Sequence, residues 1–126
     1  MNKVYVGTSL LNIDRAKHII ARLKSLNLSI TYEWPNHGMV ADKALLPVIA
    51  RNEVIGVREC DVFFMIQPGR SGTHIEFGMA YALGKPIVML NEDDEWPTCF
   101  YHLPGVHRFS VEDDAIAFLL KLLEQS

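Results

Sequence analysis

Apolar residues follow two different rhythms along this chain. Val4-Tyr5-Val6 and Val62 to Ile66 are unbroken apolar runs, the pattern of strands buried on both faces. From Asn12 to Leu26 the apolar positions Ile13, Ala16, Ile19, Ile20 and Leu23 recur at helical spacing, with Arg15, Lys17, Arg22 and Lys24 between them. Leu28 to Tyr32 alternates and predicts a second strand, followed by a loop from Glu33 to Met39. A helix starts near Pro47, because proline is tolerated in a first turn, and runs to Glu59. After the Val62 to Ile66 strand a helix spans Thr73 to Leu83, closed by Gly84 with Pro86 just beyond. Ile87 to Leu90 is a fourth strand, Asn91 to Gly105 an irregular loop, His107 to Val111 a fifth strand and Asp113 to Glu124 a terminal amphipathic helix.

Strands alternating with helices predict an α/β fold, a three-layer structure around a five-stranded parallel sheet. The order 2-1-3-4-5, flavodoxin-like or Rossmann-like, puts the topological switch point between strands 1 and 3. The loops leaving those strands are Gly7 to Leu10 and Gln67 to Thr73. No linker, repeat or low-complexity stretch divides the 126 residues, so the expectation is a single domain over residues 1–126.

Composition narrows the possible partners. Fifteen acids against twelve bases give a net charge of −3 with no basic block, which argues against a nucleic-acid polymer but not against a single nucleoside or nucleotide. No apolar run approaches membrane-span length and the N-terminus does not read as a signal peptide, so the expected location is cytoplasmic, with no membrane partner. Cys60 and Cys99 fit no metal or CxxC spacing, and Cys60, beside a buried strand, reads as a reduced core thiol. The histidines and carboxylates show no ligating pattern, so no metal and no cofactor is expected.

The chemistry concentrates in Gln67 to Pro86, where a Gly-rich turn opens a helix bearing one acid, Glu76. Gly69-Arg70-Ser71-Gly72-Thr73 lacks the lysine of a P-loop, and Thr73 stands where a nucleophile elbow needs its second glycine. Glu76 has two readings. With Thr73 it forms a capping box, reaching back to the helix start. Alternatively, the helix N-terminus keeps it ionised in the switch-point crevice, able to attack an electrophilic carbon or stabilise a cation. Asp61 precedes strand 3 and lies about 16 Å below its far end, so it is structural. Glu53, about 12 Å up the preceding helix, is either a solvated side chain or a second acid at the active edge. Asp93, Asp94 and Glu95 read as solvated loop. Tyr5 either packs as an ordinary strand aromatic or points its hydroxyl at Glu76. Trp34 and His37 either stack on a planar ligand or seal the core. Gly7, Ser9, Gly69, Arg70, Ser71, Gly72 and Thr73 border the crevice as candidate substrate-binding positions, offering side-chain donors and backbone N–H groups.

Several of these residues also carry a family resemblance. Val4-Tyr5-Val6-Gly7-Thr8-Ser9, Cys60-Asp61-Val62, Gly72-Thr73-His74-Ile75-Glu76-Phe77-Gly78-Met79-Ala80 and Gly84-Lys85-Pro86 resemble the nucleoside 2-deoxyribosyltransferase family, which includes deoxynucleoside 5′-monophosphate N-glycosidases. The likeness runs from about residue 3 to 90. It implies cleavage of an N-glycosidic bond with transfer of the sugar to another base, or to water. It also implies that Glu76 is the nucleophile, that Tyr5 orients it, and that Glu53 assists base departure where the family usually has Asp. A homo-oligomer is implied as well, a neighbouring subunit often completing the site. Pro68 to Glu76 is also similar to the PGGxGTxxE motif of the cytokinin-activating phosphoribohydrolases, with Arg70 replacing a glycine. The rival of another class is a non-catalytic nucleotide-binding or sensor domain on the same fold.

Overall fold

The computed structural model describes residues 1–125. Its strands are β1 (Lys3–Gly7), β2 (Ser29–Ile30), β3 (Val62–Ile66), β4 (Ile87–Leu90) and β5 (Val106–Phe109). The helices are α1 (Ile13–Ser25), α2 (Leu46–Glu59), α3 (Ser71–Ala82) and α4 (Glu112–Glu124), with 3-10 turns at Leu10–Asn12, Trp34–Asn36 and Cys99–His102. All strand pairs are parallel and the order is β2-β1-β3-β4-β5, as the alternation of strands and helices predicts.

The period of two in a strand sorts side chains between two cores. Val4, Val6, Phe64, Ile66 and Val88 point to one face, where Ile19 and Leu23 of α1 and Ile116 and Leu119 of α4 cover them. Tyr5, Phe63, Met65 and Met89 point to the other, under Val57 of α2 and Phe77 and Ala80 of α3. Tyr5 therefore lies beneath the two helices that carry Glu53 and Glu76.

Three boundaries differ from the sequence expectation in ways that shape the site. β2 is two residues long rather than five. The backbone carbonyl of Val6, where a longer β2 would continue to pair, instead accepts the indole Nε1–H of Trp34 at 2.7 Å. A side-chain donor thus ends the edge ladder early and pulls the following loop over the strand end. α3 begins at Ser71, with extended Arg70 as its N-cap and the His74 N–H donating to the Arg70 carbonyl at 3.0 Å. Thr73 is then the third helical residue and Glu76 the sixth, one turn deeper than a capping box requires. The third difference is the segment from Asn91 to Gly105, which contains a 3-10 turn and packs behind α3 rather than over the crevice.

Candidate active site

Glu76 is buried, and the Tyr5 hydroxyl donates a hydrogen bond to its Oε2. This contact replaces the capping box. The ring of Tyr5 stacks on Phe63 with centroids 5.6 Å apart and planes 9° from parallel, which fixes where the hydroxyl can go. Gly56 of α2 permits that placement: a Cβ there would lie 2.9 Å from Tyr5 Cδ2 and 3.1 Å from Tyr32 Cβ. Gly7 serves the acid in the same way, since a Cβ on it would stand 3.0 Å from Phe63 Cζ and 3.4 Å from Glu76 Oε1. One carboxylate oxygen is thus held by Tyr5 while the other faces a floor without a side chain.

The electrostatics depart from the sequence expectation. Burial pushes the Glu76 carboxyl up to about 8; the Tyr5 hydrogen bond opposes that rise, and the charge and hydrogen bond of Glu53 add to it. Helix-terminal stabilisation fades within the first turn, and Glu76 sits beyond it, so desolvation wins. Burial also raises Glu53, against its hydrogen bond to Glu76 and the nearby His37. The two acids influence each other's ionisation, and burial makes it costly for both to be charged at once. Tyr5 is itself raised far above the ordinary phenol value, first by burial and then by Glu76, so it stays a donor.

These groups open into a crevice of about 560 Å³ at the switch point, within the roughly 300–1,000 Å³ typical of small-molecule sites. Tyr5, Ser9, Arg70, Ser71, Gly72 and Thr73 line it beside Glu76, and Trp34, His37 and Glu53 line the side toward β2. Gly7 lies under Glu76 and outside the wall proper. Gly69 is also outside it: its N–H donates to the Gln67 side-chain oxygen Oε1 at 3.0 Å, and a Cβ would come within 3.0 Å of Met65 Cε and Thr73 Cγ2. Trp34 combines both of its sequence readings, buried with its N–H committed to Val6 yet bordering the crevice. Asp61 accepts from the Lys3 N–H at 2.9 Å at the opposite strand end, a structural role.

Sequence reasoning passed over an apolar rim. Leu10, Leu11, Met39, Val40, Leu46 and Ile49 complete the crevice wall. They come from a 3-10 turn, from the loop before α2 and from the first turn of α2, none of which has a period that separates a ligand wall from a core. It also passed over Thr8, whose hydroxyl donates to the Ile66 carbonyl at 2.8 Å and ties the two switch-point loops together. Among the described residues no group of three or more His, Cys, Asp or Glu is arranged to hold a metal, and no helix is long and apolar enough to cross a membrane.

Residues 4–114 match the model of the nucleoside 2-deoxyribosyltransferase family. The chain belongs to that family. This nucleoside 2-deoxyribosyltransferase-family chain is accordingly an enzyme of N-glycosyl bonds. Its fold is similar to that of the CMP N-glycosidase BcmB from Clostridium botulinum, at 21% identity and a TM-score of 0.66, over 94% of this chain and 97% of that one. It is also similar to a 2-deoxyribosyltransferase from Leishmania mexicana, at 18% identity and a TM-score of 0.63, over 96% and 98% of the two chains. No curated protein matches the chain by sequence.

Tyr5→Phe removes the donor to Glu76 while keeping the stacked ring. The expected result is a native fold with base release slowed by about 10- to 100-fold, and an acid limb moved to higher pH because the hydrogen bond that favours ionised Glu76 is gone. Circular dichroism and a pH–rate profile check both parts.

Proposed function

We propose that this enzyme cleaves the N-glycosidic bond of a nucleoside through a covalent glycosyl-enzyme on Glu76. The observation that carries the reading is the Tyr5–Glu76–Glu53 constellation at the switch point, in which burial raises both the buried Glu76 and the half-buried Glu53, so that the pair retains a proton to share. In this scheme Glu76 Oε1 attacks C1′ as the C1′–N bond breaks. The bond's electron pair goes to the base, which takes the shared proton through Glu53. An acceptor, either a second base or water, then attacks C1′, returns its proton to Glu53 and frees Glu76. Tyr5 donates throughout to Oε2.

The acceptor is a second base in the family's named activity. Hydrolysis is the alternative, favoured by one observation. The aromatics Trp96, Phe100 and Tyr101 of the loop that leaves the ligand edge after β4 line no part of the crevice. Tyr101 is instead buried behind α3, its hydroxyl 2.6 Å from His74 Nε2. An uncovered site admits water. The exposed rim residues Leu11 and Met39, 73% and 76% accessible, fit a site closed by a second copy of the chain in a homo-oligomer, in line with the family resemblance. A cytoplasmic location accords with a nucleoside substrate. A non-catalytic binding module leaves the proton-sharing pair without a use.

Incubation with a panel of ribo- and deoxynucleosides and their 5′-monophosphates, followed by chromatography for free base, tests the reading. Release from none of them overturns it. With a releasing donor, addition of a second free base should yield exchanged nucleoside; unchanged free-sugar production would identify a hydrolase. The crevice wall holds one cationic side chain, Arg70, and no lysine. Nucleosides should therefore match or exceed their monophosphates in kcat/KM, and a large preference for monophosphates would reverse that expectation.

A further inference from the structure

His37 stands at the β2 side of the crevice, where the 3-10 turn Trp34–Asn36 ends. Its Nδ1 lies 2.8 Å from the carbonyl oxygen of Gly38. A carbonyl oxygen can only accept, so Nδ1 carries the hydrogen and the neutral ring must present Nε2 as a bare acceptor. The turn holds this arrangement: Gly38 has φ +60°, a left-handed conformation that suits glycine, and the His37 ring packs against Tyr32 with centroids 5.8 Å apart. The tautomer is thus set by the backbone, before any ligand arrives.

The other polar groups on this side are few. The Trp34 N–H is spent on Val6, and Glu53 is engaged with Glu76 in the proton-sharing pair. His37 and Glu53 both line the crevice, so the ring shares its wall with the acid that serves the departing base. Ser9 after β1, and Arg70, Ser71 and Thr73 at the start of α3, supply the crevice's other side-chain donors and are left for the sugar and its 5′ end.

We infer that His37 Nε2 is a specificity-determining acceptor that selects nucleosides whose base carries an exocyclic amino group. The inference rests on the proposed N-glycosidic activity and deepens it to a substrate class. An amino group donates to the Nε2 lone pair. A keto oxygen at the same ring position opposes one lone pair to another. Because His37 is solvent-exposed, water softens the discrimination to that of a single accessible hydrogen bond, about tenfold.

Two base pairs differing at one exocyclic group make the test: cytosine against uracil, and adenine against hypoxanthine. In kcat/KM for base release from their nucleosides, the wild type should favour the amino member of each pair by about tenfold. His37→Gln offers both a donor and an acceptor and should bring the ratio near one. His37→Lys offers only donors and should turn the preference toward uracil and hypoxanthine. A role confined to packing on Tyr32 would lower both members of a pair equally and leave the ratio alone. Equal wild-type rates, or a ratio unchanged in His37→Gln, overturn the inference while leaving the glycosidic reading intact. If no substrate releases its base, the glycosidic reading fails on its own. Calorimetric binding of the four free bases to the wild type then decides the inference: tighter cytosine and adenine, lost in His37→Gln, support it, and equal affinities or a preference that survives in His37→Gln overturn it.

Discussion

Glu76→Gln is expected to release base from no nucleoside at a measurable rate, a loss of about a thousandfold or more, while folding as the wild type does. The amide keeps the volume of the side chain and still accepts the Tyr5 hydroxyl, so nothing in the packing around Phe63 needs to move. What it lacks is a nucleophilic oxygen for C1′ and half of the proton-sharing pair with Glu53. The failure is chemical, so substrate should still bind: KM or an equilibrium Kd should change far less than kcat. Single-turnover assays beside calorimetry separate the two. A variant that keeps near wild-type turnover would return Glu76 to a structural role.

The same substitution should stabilise the protein in alkaline solution. A carboxyl whose folded-state pKa lies near 8, against 4.5 in the unfolded chain, binds its proton more tightly when folded. Its contribution is therefore fully present below pH 4.5, and is lost as the pH climbs to 8 and through it. Glu53 shifts in the same direction, again by burial, and reinforces the trend. Glutamine at position 76 has no proton to lose. The two proteins should melt together near pH 5, and by pH 8.5 the variant should be ahead by roughly 3 kcal/mol, on the order of 10 °C for a chain of this size. Calorimetric melting at the two pH values checks it, and a wild type that gains on the variant with rising pH contradicts the assigned direction. The burial that makes a carboxyl useful here works against the fold that holds it.

Much of this arrangement was legible in the residues, and the exceptions have physical causes. Unbroken apolar runs at Val62 to Ile66 and Ile87 to Leu90 predict a parallel sheet, and the alternation with helices gives its order. The Gly-rich turn therefore falls at the switch point before any coordinate is known. The depth of Glu76 was not legible, because Thr73 and Glu76 satisfy the capping-box spacing wherever the helix starts. Only the extended backbone at Arg70 moves the start to Ser71. The shortness of β2 depends on a contact 28 residues apart, Trp34 to Val6, which no local pattern encodes. The long loop after β4 leaves from the ligand edge, as its sequence position requires, but buries Tyr101 against His74 and Phe77 on the far side of α3. His37 was visible as a candidate; its tautomer, set by the Gly38 carbonyl, was not.

The stacked position of Tyr5 also provides a spectroscopic reporter. Its ring is fully covered and its hydroxyl is tied to an acid, so it resists ionisation for as long as the sheet and the two helices above it stay together. In an alkaline titration followed by tyrosinate absorbance, this one of the four tyrosines should remain silent until the chain opens as a whole. The absorbance difference between wild type and Tyr5→Phe would then trace global unfolding from inside the site, with no label attached.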